Sequence, residues 1–226
     1  MADTYEELSQ LIIAGDGDAA KALTARLLAA GAGAREVLDA GLMPGMDTVG
    51  ARMKAGECFI PEVLLSARTM QACLELIKPH LGAGEAAARG TIVIGTVEGD
   101  VHDIGKNLVA MMLEGAGFTV VNLGTGVSPA GFVAAARQHE AQLLGMSGLL
   151  TTTIPRMGET IALLAESGLR GSVKVMVGGA PVTQSFADEI GADAYGANAA
   201  AAVDQAKALT GVSLGVTGAQ RGGERQ

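Results

Sequence analysis

Thr91-Ile-Val-Ile-Gly-Thr-Val97, running directly into Glu98-Gly-Asp-Val-His-Asp-Ile-Gly-Lys106, is the stretch on which the fold turns. Its first seven residues carry no charge and are rich in β-branched side chains, which suits a strand buried on both faces. The polar turn that follows, with Gly105 just past the start of a helical pattern, reads as a strand-to-helix connection. The same unit recurs downstream. Phe118-Thr-Val-Val-Asn122, Leu143-Leu-Gly-Met146 and Val173-Lys-Val-Met-Val177 are apolar runs of the same kind, each followed by a helical stretch, and a short fifth strand at Ala194-Tyr195 precedes a helix from Ala199 to Leu209. Strand alternating with helix over about 120 residues predicts a five-stranded parallel sheet with helices on both faces, the doubly wound α/β class.

Upstream the periodicity is different. From Asp3 to about Leu81 apolar residues recur at three- and four-residue steps, as in Leu8, Leu11, Ile12 and Ala22, Leu23, Leu27. Breaks fall at Ala14-Gly-Asp-Gly-Asp18, Gly31-Ala-Gly33 and Gly56 to Pro61, so four helices are predicted, packed as a small four-helix bundle. The stretch Leu81 to Gly90 loses bulky apolar residues after Leu81 and marks a domain boundary. The expected organisation is a helical cap domain over 1–85, a Rossmann-like, flavodoxin-like domain over 90–211 and a polar, Gly-rich, disordered tail over 212–226.

Composition narrows the function. With 16 basic and 24 acidic residues the net charge is -8, spread along the chain, which argues against a nucleic-acid partner. The N-terminal residues have neither the basic region nor the apolar core of a signal peptide, and no apolar run approaches the ~20 residues of a membrane span, so a cytoplasmic protein is expected. The two cysteines, Cys58 and Cys73, lack any paired spacing and read as reduced interior thiols. Thirty-three glycines against 3% aromatics and no Trp mean that small residues let backbones approach something closely.

In an open parallel sheet of flavodoxin-like order, ligands sit beyond the carboxyl ends of the strands, where the order reverses. Three loops meet there: Glu98 to Gly105, Ser147 to Thr153 and Gly178 to Pro181. The first sets His102 on a turn two residues after Asp100; imidazole is the commonest transition-metal ligand, and a carboxylate on its second nitrogen fixes tautomer and orientation. His80 and His139 fall on helices away from this face, so a zinc site is thin. A metal held by His102 must bring most of its own ligands, as a tetrapyrrole-type macrocycle does. The second loop places four hydroxyls in the seven residues Ser147-Gly-Leu-Leu-Thr-Thr-Thr153, more than a helix cap needs. In the third, Gly178-Gly179 either permits close approach of a flat ligand or simply makes a tight turn. Phosphate-loop and dinucleotide patterns fail, because Asn107 stands where a magnesium-binding hydroxyl belongs and Pro129 where a third Gly belongs.

These elements resemble the signature of cobalamin-binding domains. Asp100-Val-His102-Asp-Ile-Gly105 is followed after 41 residues by Ser147-Gly-Leu149 and after a further 28 by Gly178-Gly179. The N-terminal half, notably Gly41-Leu-Met-Pro-Gly-Met46 and Glu57-Cys-Phe-Ile-Pro-Glu-Val-Leu64, is similar to the helical cap of methionine synthase and of methylamine and methanol corrinoid proteins. The resemblance implies a cobalamin or related corrinoid cofactor, as methylcobalamin in the loaded state, bound base-off with His102 as the lower axial cobalt ligand. It implies a relay from His102 to Asp100 and Thr153, in which proton uptake by the Asp100–His102 pair can track cobalt's oxidation state. It also implies cofactor contacts from Val101, Asp103, Ile104, Gly105, Ser147, Leu149, Thr151, Gly178 and Gly179. Asp103, Lys106 and Asn107 stay open between a site role and an ordinary place at a helix start. Phe59, Val63 and Met70 are the expected cover of the upper cobalt face, with Leu64, Met43, Met46 and Met53 as further candidates.

By the same resemblance the protein is a methyl carrier that does not turn over alone. Its implied partners are a substrate-specific methyltransferase, a second folate- or thiol-directed methyltransferase and a reductive activase. Two alternatives stand beside it: the cobalamin subunit of an adenosylcobalamin-dependent mutase, against which the helical cap argues, and a cobalamin-based sensor, against which the acidic charge argues.

Overall fold

The structure, a computed structural model, describes residues 2–81 and 89–211; the tail expected over 212–226 and most of the expected boundary stretch lie outside the described residues. The first described half is helical: α1 Ala2–Ala14, α2 Gly17–Ala29, α3 Ala34–Glu36, a π-helical turn Val37–Leu42, α4 Met43–Ala55 and α5 Ile60–Ile77, closed by a 3-10 turn. Because α3, the π turn and α4 follow without a break, these segments make the four helices predicted. The break before α2 behaves as its acidic residues suggest, the Asp16 carboxylate accepting from the Ala19 N–H at 3.1 Å. At α5, the Glu62 carboxylate accepts from the Phe59 N–H at 2.7 Å and Pro61 occupies the first turn, where a missing donor costs nothing.

The segment Gly41 to Met46 has a packing explanation. A Cβ on Gly41 would fall 2.8 Å from Leu8 Cδ2 and one on Gly45 2.8 Å from Ile12 Cβ, so the two glycines, one turn apart, let α1 lie close against the α4 helix. The Ser9 hydroxyl seals the crossing by donating to the Gly41 carbonyl at 2.6 Å.

The second half alternates strand and helix: β1 Thr91–Thr96, α6 Ile104–Gly115, β2 Thr119–Asn122, α7 Pro129–Gln138, β3 Leu143–Ser147, α8 Pro155–Glu166, β4 Lys174–Gly178, α9 Gln184–Glu189, β5 Ala194–Gly196 and α10 Ala199–Leu209. The five strands are all parallel, in the order β2-β1-β3-β4-β5. Order reverses between β1 and β3, the switch point expected for a flavodoxin-like sheet. Side chains alternate between two cores. Val93, Leu144, Met146, Val175 and Val177 face α7 and α8, whereas Ile92, Leu143, Met176 and Ala194 share a core with α6 and α10. Val49 of α4 and Val63 of α5 belong to that second core, so the N-terminal helices pack on the α6/α10 side of the sheet.

Two ion pairs give the direction of that packing. Lys207 Nζ meets Asp47 at 2.5 Å and Lys54 pairs with Asp204, so α4 runs antiparallel to α10. Since α10 starts at the carboxyl end of β5, α4 climbs toward the carboxyl ends of the strands and delivers Phe59 and Ile60 to the same end of the molecule as the loop bearing His102. Large apolar side chains are exposed on these segments: Phe59, Val101 and Ile104 are 69%, 76% and 83% exposed.

Candidate cofactor site

His102 lies in the turn between β1 and α6. Its ring Nδ1 sits 2.7 Å from Asp100 Oδ1, and the same oxygen accepts from the His102 backbone N–H at 3.0 Å. Asp100 Oδ2 accepts from the Leu149 N–H at 2.7 Å, the Leu150 N–H at 3.2 Å and the Thr153 hydroxyl at 3.0 Å. The side chain of Asp100 is fully buried while that of His102 is about half exposed. Burial pushes the Asp100 carboxyl up, but the hydrogen bonds from His102, Leu149 and Thr153 outweigh it and hold the group well below the usual carboxylate range. The carboxylate is therefore permanently ionised near neutrality. It ties the loop after β1 to the loop after β3, and it orients an imidazole whose Nε2 is left for a ligand.

Two adjoining cavities share Gly105, Ser147, Gly179 and Ala180. One, of about 330 Å³, surrounds His102 with Val101, Asp103, Ile104 and Leu149. The other, of about 370 Å³, runs down between α6, α10 and the ends of β3 to β5, past Ile94, Val109, Met176, Gly178 and Gly196. Gly178-Gly179 is required by the protein's own backbone. Gly179 has φ 130°, and a Cβ there would lie 1.9 Å from the Gly148 carbonyl oxygen; on Gly178 it would lie 3.0 Å from the Gly196 oxygen. The pair lets the loops after β3 and β4 close on each other and keeps the second cavity open. A larger cavity, about 540 Å³, lies between α4, α6 and α10 and contains no part of this constellation.

Comparison with known proteins bears on what this geometry serves. A B12 binding domain family matches residues 90–204 and a second B12 binding domain family matches residues 4–78. The chain is 45% identical over 208 residues to dimethylamine corrinoid protein 1 of Methanosarcina mazei, covering 92% of this chain and 96% of that one. It belongs to the B12-binding corrinoid proteins of methyltransferase systems. A corrinoid protein of Desulfitobacterium hafniense is 42% identical over 209 residues, covering 91% of this chain and 97% of the relative. Among solved structures, the methanol:cobalamin methyltransferase complex MtaBC from Methanosarcina barkeri superposes with a TM-score of 0.83 at 32% identity, over 95% of this chain and 82% of that one. The corrinoid protein's own residues fit such a cofactor. They offer one oriented imidazole, an apolar collar of Val101, Ile104 and Leu149, and a deep cavity beside them. Among the described residues no cluster of three His, Cys, Asp or Glu could hold a bare metal ion.

Most residues expected from the sequence converge here: Asp100, Val101, His102, Asp103, Ile104, Gly105, Ser147, Leu149, Thr153, Gly178 and Gly179 line the two cavities or hold the loops between them. Three do not. Thr151 is exposed on the turn after Leu150 and lines neither cavity, because the turn directs only Thr153 inward. Val63 and Met70 are wholly buried in helix–helix cores and present no surface to a ligand in this arrangement. Met43 and Met46 are likewise buried, and Met46 packs at Gly115. Of the expected upper-face cover, Phe59 alone is exposed at the right end, joined by Ile60.

Lys106 resolves against a surface role. It is 2% exposed, and its ammonium donates to Asn107 Oδ1 at 2.6 Å and Asn122 Oδ1 at 2.7 Å, while the Asn107 amide donates to Asp103 at 2.9 Å. Burial pushes the Lys106 pKa down, with Asp103 pulling it back. This network braces the first turn of α6 against the end of β2. Ile94, Val109, Met176, Gly196 and Ala202, which line the deeper cavity, escaped the sequence reading because each looks like ordinary strand or helix core until the register is known.

Proposed function

We propose that the protein is a methyl carrier that holds its corrinoid base-off, with His102 as the lower axial ligand, and serves two methyltransferases in turn. The observation that supports this most directly is the half-exposed imidazole of His102, held through Nδ1 by a buried, five-times hydrogen-bonded carboxylate, beside an adjoining cavity of about 370 Å³ that could take a displaced nucleotide tail. When bound, the corrinoid supplies a cobalt centre able to accept a methyl group and give it up. The chain's own residues do the rest. Asp100 keeps the Nδ1 proton in place and so presents the Nε2 lone pair outward; Thr153 and the Leu149 and Leu150 N–H groups keep Asp100 ionised. Without a ligand, Nε2 would be the one ring nitrogen left without a partner, since Nδ1 is held by Asp100. Thr153 acts as a donor that anchors Asp100.

Val101, Ile104 and Leu149 form an apolar bed around His102, and Phe59 with Ile60 offers apolar cover from the helical side, excluding water from a reactive centre. In this reading residues 1–85 are the cap domain and 90–211 the corrinoid-binding domain. A substrate-specific methyltransferase is the first partner, supported by relatives named for dimethylamine and by the methanol methyltransferase complex that superposes on this chain. A folate- or thiol-directed methyltransferase is the second, and a reductive activase restores inactive cofactor. No helix among the described residues is long and apolar enough to cross a membrane.

The test is the visible spectrum of the full chain reconstituted with hydroxocobalamin, wild type beside His102→Ala. The wild type is expected to lose the base-on spectrum and keep its cofactor through gel filtration, and the variant to differ in spectrum. Identical base-on spectra, or loss of cobalamin from the wild type, would overturn the proposal.

A further inference from the structure

The deeper cavity has walls whose chemistry differs along its length, and strand register explains why. On the sheet face covered by α6 and α10, Ser147 pairs with Gly178 and Gly178 with Gly196, forming an outer row of small residues at the carboxyl ends of β3, β4 and β5. Two residues further in, Ile94 pairs with Gly145 and Gly145 with Met176. Val109 of α6 and Ala202 of α10 stand opposite. The mouth is thus narrow-walled and permissive, whereas the inner end is closed by Ile94, Met176, Val109 and Ala202, none of which bears a hydrogen-bonding group.

Polar side chains along this cavity are hydrogen-bonded elsewhere, stand near its mouth or belong to the opposite sheet face. The Lys106 ammonium bonds Asn107 and Asn122, so only its alkyl stem is offered. Asn198 Oδ1 caps α10 by accepting from the Ala201 N–H at 2.9 Å. Tyr195 pairs with Val177, whose side chain belongs to the core on the opposite face. Backbone groups of β1, β3 and β4 at this depth are spent in the parallel ladder. Ser147 remains, and it stands in the outer row.

We propose that the inner end of this cavity selects corrinoids by the polarity of the lower base, taking benzimidazole- or phenol-tailed cobamides in preference to purine-tailed ones. The proposal rests on the reading of this cavity as the site of the displaced tail. A purine ring carries nitrogens and an exocyclic group that are hydrated in water and would meet only Ile94, Val109, Met176 and Ala202. Burying such groups without partners weakens binding by about ten- to a hundredfold. A dimethylbenzimidazole ring, with one free ring nitrogen, loses less by the same transfer, and a phenol ring joined through its oxygen loses little.

The experiment titrates the full chain, free of cofactor, with dimethylbenzimidazole-, phenol- and adenine-tailed cobamides and with tailless cobinamide, following the visible spectrum and equilibrium dialysis. Each Kd is corrected for the base-off fraction of the free cobamide, read from its own acid titration. The adenine-tailed form is expected to bind about ten- to a hundredfold more weakly than the other two cobamides after correction. Val109→Thr, which adds a hydroxyl at nearly constant shape, should narrow that gap several-fold without changing cobinamide affinity. Ile94→Thr provides the same test from the sheet side. Corrected affinities equal within threefold, or a gap that neither substitution narrows, would overturn the proposal while leaving the cofactor reading intact. Cobinamide binding as tightly as all three cobamides would remove the tail from this cavity, and failure to bind any corrinoid would overturn the cofactor reading itself.

Discussion

Replacing Asp100 by Asn removes one formal charge and leaves the shape unchanged, yet the carboxylate's bonding cannot be reproduced by an amide. Oδ1 serves the His102 N–H and ring Nδ1; Oδ2 serves the N–H groups of Leu149 and Leu150 and the Thr153 hydroxyl. An amide has one acceptor oxygen. If that oxygen stays with His102, the amide nitrogen faces two part-buried backbone donors, and although the Thr153 hydroxyl can rotate to accept, an unsatisfied N–H costs about 1–3 kcal/mol when desolvated, which puts this part-buried pair at the low end, roughly 2 kcal/mol together. If it stays with Leu149 and Leu150, the His102 N–H loses its acceptor at about 1–3 kcal/mol and the ring must accept at Nδ1. The second choice puts the proton on Nε2, the nitrogen needed for the metal. Asp100→Asn is therefore expected either to lower stability by at least about 2 kcal/mol or to lose histidine ligation with a smaller loss. Urea unfolding of the cofactor-free chain measures the first, and the spectrum with hydroxocobalamin the second. A variant within about 0.5 kcal/mol of wild type that also retains the histidine-ligated spectrum would refute this account of the site.

Three further outcomes follow from the same geometry. Thr153→Val should cost about 1 kcal/mol or more in urea unfolding by stripping a donor from Asp100, and Thr153→Ser less than that, since it keeps the hydroxyl and loses one buried methyl; a loss from Thr153→Ser as large as from Thr153→Val would point to packing instead. Gly179→Ala should abolish corrinoid retention or unfold the chain, because its Cβ would lie 1.9 Å from the Gly148 oxygen on a residue at φ 130°, and a fully functional variant would contradict the loop closure described. Met70→Ala should destabilise the cofactor-free protein by about 2–5 kcal/mol as a core cavity, whereas Phe59→Ala should leave its stability within about 0.5 kcal/mol and instead speed oxidation of the reduced cofactor. Reversal of that pattern would place Met70, not Phe59, over the ligand.

How much of this was legible in the chain depends on the range of the interactions. Strand and helix periods, the Gly- and Asp-rich breaks and the isolated His102 beside Asp100 are local features, set by side-chain spacing over a few residues, and they suffice for the doubly wound fold, the four preceding helices and the switch-point loops. Thr153 could be tied to Asp100 only through a family pattern, because 53 residues separate the two. Tertiary structure alone decided what depends on two distant segments meeting. Register across β1, β3, β4 and β5 turned Ile94, Met176 and Gly196 from ordinary strand residues into cavity walls, and the closeness of Gly148 made Gly179 obligatory. Packing of α4 and α5 against α6 and α10 buried Val63 and Met70, which periodicity could mark as apolar but could not assign to a core or to a ligand. His102 needed only its neighbours in sequence to be noticed; it needed the loop after β3, folded over Asp100, to be held in one orientation.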